Sequence, residues 1–316
     1  DAISRWTFFG ILFPAAPEFK VTTAGLHIKQ RPSRLQNAHT LSALWGLTAD
    51  HVSADDLKIQ RPDVKGGKTR IVVAPARPEL APFQAALEER TKHLKRLEKG
   101  ESGDNMLAIL SDGKKAALDM RLINMAFGDY AGSKVNLAVA DLVETWRATA
   151  GTKGTQLVFL DKSVPAAAQG PIQGSGFSVY EDIRNKLVAA GVPSDQIAFI
   201  QSFTGAQQKK WLFARFNAGD IRILLGGSEN LGTGTNVQER VVAERNLDVP
   251  DKPAQIIQRI GRAIRRGNMN TEGDIVFYAT EGSQDSFQWQ QMERKAGSFD
   301  RFAKAGENAY EPGQDV

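Results

Sequence analysis

The sequence predicts an α/β fold: a parallel sheet covered by helices on both faces, preceded by a partly irregular and helical amino-terminal region. Two observations lead to this prediction. From Ser133 onward, short apolar runs alternate with stretches of helical periodicity, which is typical of a parallel sheet with crossover helices. The composition, 41% hydrophobic and 24% charged residues, is that of an ordinary globular protein.

The regular part of the chain gives its elements in order. Ser133 can cap a helix, because apolar residues recur behind it at helical spacing as far as Trp146. The later apolar runs predict strands at 155–161, 196–201, 221–226, 240–246 and 274–280. The intervening segments predict helices at 177–190, 206–218, around the arginines near 258–265, and from about 283 to 303.

Upstream of this part the pattern is weaker. Residues 1–60 carry several prolines and are expected to be irregular. A turn within 63–69 leads into a strand at 70–74, and a charged helix follows at 79–99. The turn contains Gly-Lys-Thr, but Pro62 stands where a phosphate-binding loop needs its first glycine, so a hairpin turn is the better interpretation.

Composition excludes several kinds of site. The chain has no cysteine, so disulfides and zinc–thiolate sites are impossible, and four scattered histidines argue against a histidine-based metal site. A net charge of +4 permits nucleic-acid contact without proving it. The apolar run within 6–19 is too short to span a bilayer, so we expect no membrane association. Because the chain opens at Asp1, we expect a processed product or an excised piece.

A glycine-rich loop follows the strand predicted at 221–226. It has glycines at 226, 227, 232 and 234 and hydroxyl side chains at 228, 233 and 235. Such a loop can bring backbone N–H groups close to phosphates. A loop of this composition is also common as a simple turn.

The segment from Gln258 to Gly267 predicts a helix with fixed arginines. Pro253 can start it and Gly267 can end it. At about 100° per residue, one side carries Gln258, Gly261, Arg262 and Arg265. The other side carries Ile256, Ile257, Ile260, Ala263 and Ile264. Guanidiniums held in this way suit a phosphoryl group that gains charge during transfer, although an arginine-rich surface helix has the same spacing.

Taken together, a strand, a Gly/Thr loop and the pattern Q-x-x-G-R-x-x-R resemble motifs V and VI in the second RecA-like lobe of superfamily-two helicases and translocases. Other segments resemble large phage and plasmid proteins that join a DNA methyltransferase to a Swi/Snf-like helicase, including DarB-type antirestriction proteins. These segments are 105–107, 111–121, 155–161, 176–184, 232–238, 247–250 and 280–282. One departure is Ile257, where the resemblance would place an acidic residue.

The resemblance also implies a division of the chain and a RecA-like helicase C-terminal lobe as its fold. Residues 1–60 would be the remnant of the end of helicase lobe one, and 61–132 a linker and helical region. Residues 133–282 would be the C-terminal lobe itself, and 283–316 a carboxyl-terminal helix and tail.

The same resemblance implies the site residues. It assigns Arg262 and Arg265 to the ATP phosphates, and Gln258, one turn earlier, could orient Arg262. Loops after 161, 201, 226 and 246 should line the carboxyl-end rim of the sheet, and we expect the arginines on that rim. The remaining candidates fall into two sets. The first would bridge the ATP and nucleic-acid sides of the cleft and consists of Gly232, Gly234 and Asn236. The second would contact DNA phosphates and consists of Ser228, Thr235, Thr204, Lys209 and Lys210.

For Thr204 and the two lysines, plain surface residues are an equal alternative. We expect Ser228 and Thr235 to be surface residues whose replacement by alanine leaves stability nearly unchanged.

The implied cofactor is ATP with Mg²⁺, yet the chain has neither G-x-x-x-x-G-K-[ST] nor a strand ending in Asp-Glu. Both would belong to a first helicase lobe in the same precursor or another chain, so this chain alone should not hydrolyse ATP.

The implied partners are double-stranded DNA, that first lobe and a methyltransferase domain. The implied location is the bacterial host cytoplasm or the phage virion. The alternative is a non-catalytic helicase-like lobe that serves as a packaged or structural phage-particle component. An RNA helicase is a weaker third interpretation, because nothing in the sequence senses a 2′-hydroxyl.

Overall fold

The computed structural model describes residues 15–22, 25–32, 60–96, 105–163, 176–232, 236–250 and 252–289. The chain divides into two compact units, one formed by residues 1–58 with 293–316 and the other by residues 59–292.

In the first unit, strands β1 (Ala15–Thr22) and β2 (Gly25–Pro32) form an antiparallel pair. Part of the range expected to be irregular is therefore a two-stranded sheet. Its prolines do not prevent pairing, because both strands are edge strands, where proline is tolerated.

The second unit contains the remaining elements. Its strands are β3 (Asp63–Val64), β4 (Arg70–Ala74), β5 (Thr155–Phe159), β6 (Ile197–Phe199), β7 (Ile223–Gly226), β8 (Val241–Asn246) and β9 (Glu272–Thr280). Its helices are α1 (Leu80–Arg96), α2 (Met106–Leu118), α3 (Lys134–Ala148), α4 (Val179–Ala189), α5 (Ala206–Ala218), α6 (Ser228–Gly232) and α7 (Pro253–Ala263). The helix predicted from 283 is helical over 284–289, and its remainder lies outside the described residues.

The sheet is parallel throughout, with strand order β3-β9-β8-β5-β7-β6 and β4 also paired to β9. Every residue of β5 is buried, as expected for a central strand with helices on both faces. The predicted fold class is confirmed, and the predicted strands agree with the observed ones to within about three residues, the usual margin for strand ends.

Alternate residues of the strands feed two separate cores. Val158 packs with Leu142 of α3 and Ile183 of α4 on one face. Leu157 packs with Leu212 of α5 on the other face, in the core that also contains Ala263 of α7. This alternation places α5, α6 and α7 together on the face that carries the candidate site.

The hairpin turn predicted within 63–69 is wrong, although the predicted strand at 70–74 is confirmed. Strands β3 and β4 do not pair with each other. Both run parallel to β9, with Val64 opposite Gly273 and Arg70 opposite Val276, and a short turn with two left-handed glycines lies between them. Their partner is about 200 residues away in sequence, so no local signal could identify it.

Residues 61–132 and 133–282 belong to the same compact unit. Beyond the β4–β9 pairing, Arg121 ties the region around α2 to α4. Its guanidinium donates to Asp119 at 2.7 Å and to Asp182 at 2.8 Å, and it lies 3.2 Å from Asp129. Lys186 contacts Asp129 and Asp182 as well, so two cations are shared among these three carboxylates.

Within the described ranges, no helix combines the length and apolar character needed to cross a membrane.

Candidate functional site

Three strand ends meet at the carboxyl rim of the sheet, as the parallel topology requires. Asp161 follows β5, Ser228 follows β7 and Asp248 follows β8. The Ser228 backbone N–H donates to Asp161 Oδ1 at 2.5 Å, and the Ser228 hydroxyl donates to Asp161 Oδ2 at 2.9 Å. The Asp248 carboxylate accepts from the backbone N–H groups of Asp161 and Lys162. The rim is therefore a connected polar layer.

Arg259 of α7 stands at the centre of this layer and is fully buried. Its guanidinium makes five hydrogen bonds. They go to Ser228 Oγ at 2.8 Å, Asn246 Oδ1 at 3.1 Å, the Asp248 carbonyl at 3.0 Å, Asp248 Oδ1 at 3.1 Å and Asp161 Oδ2 at 2.7 Å. A guanidinium has five N–H donors, so every donor is satisfied. The face of the group also lies 5.1 Å from the Phe159 ring centroid.

The charge balance of the layer leaves one carboxylate in excess, because Asp161 and Asp248 share a single guanidinium. Burial raises the pKa of Asp248, and the neighbouring Asp161 raises it further, while the Arg259 charge opposes both effects. Arg259 supplies the positive charge that both buried-layer carboxyl groups contact.

The network continues beneath α7 to Glu244. The Asn246 amide donates to Glu244 Oε1 at 2.8 Å and its carbonyl accepts from Arg259. Glu244 is fully buried, and burial raises its pKa to about 7. Near the rim, the Tyr180 hydroxyl donates to the Leu160 carbonyl and accepts from Gln201 at 3.0 Å. Desolvation raises the pKa of Tyr180.

Sequence reasoning missed Arg259, although one signal was available. At 100° per residue, Arg259 falls on the helix face of Ile256, Ile260 and Ala263, where an arginine needs buried acceptors. The structure supplies those acceptors and turns Ile257 outward, with 65% of it exposed. The predicted apolar side is therefore rotated: Ile257 leaves it and Arg259 joins it.

The predicted arginines lie at the end of α7 and just beyond it. The helix begins with Pro253, as predicted, but it ends at Ala263, and Gly267 adopts a positive φ of 88° beyond it. Arg262 and Arg265 are half-buried, and Gln258 is exposed. Burial and the neighbouring charge of Arg265 lower the pKa of Arg262, so the two guanidiniums lie close enough to repel each other.

Their position corrects one expectation. The Asn268 amide donates to the carbonyls of Ala263 and Val241 at 2.9 and 2.8 Å, which places the end of α7 beside the start of β8. Arg262 and Arg265 thus lie toward the amino ends of the strands, and the rim is occupied by Arg259. The cause is the direction of α7, which leaves the carboxyl end of β8 and runs back along the sheet.

The other predicted residues are divided between the interior and the surface. Ser228 is only 3% exposed, and its hydroxyl is engaged by Asp161 and Arg259, so it is not the surface residue that was expected. Thr204 is exposed. Gly232 ends α6, while Gly234 and Thr235 lie outside the described residues.

Asn236, Lys209 and Lys210 are brought together. They line an open groove along α5 with Ala206, Phe213, Ala214 and Asn217. The Asn217 amide donates to the Asn236 backbone carbonyl at 2.9 Å and links these two lining residues.

Comparison with known proteins agrees with this architecture. Residues 182–267, from α4 to just beyond α7, match the family described as helicase conserved C-terminal domain. The crystal structure of the C-terminal part of the Fun30 ATPase domain is similar, with 12% identity and a TM-score of 0.54, over 78% of this chain and 98% of that one. The DUF1998 helicase MrfA bound to DNA and AMPPNP is 17% identical with a TM-score of 0.37, over 52% of this chain and 20% of its own. None of the curated proteins is similar to the chain in sequence. The fold is that of a RecA-like helicase C-terminal lobe.

Proposed function

We propose that this chain is the second motor lobe of an ATP-dependent DNA helicase or translocase, and that Arg262 and Arg265 act on ATP held by a first lobe. One observation carries the proposal. Helix α7 lies within the segment that matches the helicase C-terminal domain, with Arg262 in its last turn and the guanidinium of Arg265, just beyond its end, close enough to repel that of Arg262. Neighbouring like charges favour an anion placed between them.

The buried network gives these arginines a fixed base. Arg259 anchors α7 through five hydrogen bonds to three segments of the sheet, so the helix cannot shift without breaking them. Charge stabilisation in a transition state is most effective when the donors are already in place. We infer that Arg259 positions α7 and that Arg262 and Arg265 contact the phosphates, with Gln258 orienting Arg262.

ATP with Mg²⁺ supplies the phosphoryl group, and the chain itself contributes only the arginine side of its site. The glycine-lysine cradle and the acidic strand end that hold nucleotide and metal are missing from the sequence. The proposal therefore includes a first lobe, in the same precursor or another chain, and predicts no turnover by this chain alone.

The groove along α5 is the proposed DNA contact. Lys209 and Lys210 line it, Thr204 precedes it, and no acidic residue lies between Asp195 and Asp220. Such groups bind phosphates without reading sequence, as movement along DNA requires. Following the family resemblance, we extend the proposal to duplex DNA as the track and to a methyltransferase domain in a phage or plasmid antirestriction protein.

The test is DNA-stimulated ATP turnover by a protein that joins this chain to its first lobe. Arg262→Ala and Arg265→Ala should each lower turnover strongly, because supplied arginines are worth roughly 10³–10⁵ in rate in GTPases. Arg266→Ala, an exposed neighbour, is the matched control and should retain activity. Turnover above about a tenth of wild type in both variants, equivalent to roughly 1.4 kcal/mol of barrier, would refute the arginine roles.

A further inference from the structure

A second groove beside the same helix contains an aromatic pair, an exposed Trp211 and a partly buried Phe203. Trp211 of α5 is 52% exposed, and its ring stacks on Phe203 with centroids 6.0 Å apart and an interplanar angle of 27°. The Arg215 guanidinium lies 5.0 Å from the Trp211 ring centroid, one turn along the helix. These two neighbours hold the indole in one orientation while leaving half of it in contact with solvent.

Polar groups surround the pair. The groove has a volume of about 340 Å³ and is lined by Phe203 and Trp211 together with Ser202, Gln207 and Gln208. This volume falls at the lower end of the range for small-ligand sites. The side-chain oxygen of Gln208 accepts from the Gly205 N–H at 3.3 Å. Its side-chain N–H groups can therefore donate to a ligand.

From this arrangement we propose that Phe203 and Trp211 form a stacking site for an unpaired base of a nucleic-acid strand. A base has a flat π face for the rings and an edge of donors and acceptors for the glutamine amides and the Ser202 hydroxyl. The proposal rests on the DNA contact proposed for the neighbouring groove.

Charge favours a nucleic-acid strand over a peptide as the occupant. Lys210 adjoins Trp211 in sequence, Lys209 precedes it, and both line the neighbouring groove. Arg215, which lies over the Trp211 ring, is a third cation whose Nε is 3.8 Å from Asp220, and α5 itself contains no acidic residue. At about 100° per residue, Lys210 and Lys209 lie about 100° and 160° around α5 from Trp211. A strand that crosses the helix would place a base in the aromatic groove and phosphates beside the lysines, the usual combination in single-strand binding.

The site should also distinguish unpaired from paired bases. In a duplex, the faces of each base are covered by its stacked neighbours, so only an unpaired nucleotide can reach Trp211. The protein should therefore bind a single strand, or a duplex with a single-stranded extension, through a contact that a fully paired duplex does not make.

The test compares binding of the full chain to three labelled probes by fluorescence anisotropy at fixed salt. The probes are a mixed-sequence single strand, an abasic strand of equal length and a fully paired duplex. Trp211→Ala and Trp211→Leu should weaken single-strand binding by about 5- to 150-fold, the usual range for one stacked base. Trp211→Phe should retain most of the affinity, because it keeps an aromatic face.

Two controls separate stacking from charge and from folding. Lys210→Gln should reduce the salt dependence of single-strand binding by a slope of about 0.7, whereas Trp211→Ala should leave that slope unchanged. Val188→Ala removes an exposed apolar side chain from α4 and should have no effect on any probe. Thermal unfolding midpoints of all variants check that the fold persists.

The proposal is overturned if Trp211→Ala binds the single strand as wild type does, or loses as much affinity for the abasic strand or the duplex. If the wild type binds duplex but shows no dependence on Trp211, only the stacking site fails. If the wild type binds none of the probes, the proposed DNA contact fails with it.

Discussion

Replacing Arg259 by methionine tests the structural basis of the site. Methionine keeps a long, unbranched side chain in the cavity but removes the charge and all five hydrogen bonds to the rim. Two carboxylates then face each other without a counter-charge, those of Asp161 and Asp248. We expect a large loss of unfolding free energy.

The size of this loss depends on how much water each of the two carboxylates can regain once Arg259 is removed. Removing one partner of a buried ion pair costs about 3–5 kcal/mol. The Asp248 side chain is 11% exposed and cannot regain much water, whereas Asp161 is 28% exposed and can recover part of its hydration. A loss near the lower half of that range, about 3–4 kcal/mol, is therefore expected. This is a large fraction of the roughly 5–15 kcal/mol that stabilises a typical domain.

Urea unfolding at several pH values measures the effect. Without Arg259, the pKa of Asp248 should rise further above its usual range, because burial and the Asp161 charge are then opposed only by the hydrogen bonds from the Asp161 and Lys162 backbone N–H groups. A carboxyl with a raised folded-state pKa destabilises the protein when it is ionised, so the deficit should shrink as pH falls through that pKa. Arg266→Met, at an exposed position, should change the unfolding free energy by no more than about 0.5 kcal/mol.

A loss below about 1 kcal/mol for Arg259→Met, or a deficit that grows at low pH, would refute the reasoning. The first result would mean that the network is hydrated, and the second that the carboxylates do not depend on Arg259.

Two further predictions concern the same network. Ser228→Ala removes the hydroxyl that accepts from Arg259 Nε and donates to Asp161, so urea unfolding should show a loss of about 1–3 kcal/mol in unfolding free energy. An unchanged unfolding free energy would mean that Ser228 behaves as the surface residue expected from sequence. Glu244→Gln tests the carboxyl whose pKa burial raises from 4.5 to about 7. As pH rises from below 4.5 through 7, the unfolding free energy of the wild type should fall by roughly 3 kcal/mol relative to that of this variant, because the folded wild type must then ionise a buried group. Parallel pH profiles of the two proteins would contradict this.

Local signals predicted much of the fold. Ser133 caps α3 by accepting from the Asn136 N–H at 3.2 Å, as its position before an apolar periodicity indicates, and α5 spans the predicted range 206–218. The rim loops converge because parallel strands end together. These features depend on residues close in sequence or on a general rule of sheet topology.

The features that sequence reasoning missed depend on distant partners. The Arg259 ligands Asp161 and Asn246 lie 98 and 13 residues away, and nothing near α7 reveals them. The same holds for β3 and β4, whose partner β9 is far along the chain. Helix α2 begins after Asn105, whose side chain caps it by accepting from the Ala108 N–H. This capping residue is visible in the sequence, but it lies in the range 61–132, which was interpreted only as a linker and helical region.

The most direct test of the proposed function compares ATP turnover, with and without duplex DNA, by this chain alone and by a protein that joins it to its first lobe. The account predicts no turnover by the chain alone, DNA-stimulated turnover by the joined protein, and loss of that turnover on Arg262→Ala while the variant keeps its fold. Turnover by the chain alone at an ordinary enzyme rate would contradict it. So would a joined protein that turns over ATP equally well with and without Arg262, or one that binds DNA but never hydrolyses ATP, as a non-catalytic lobe would.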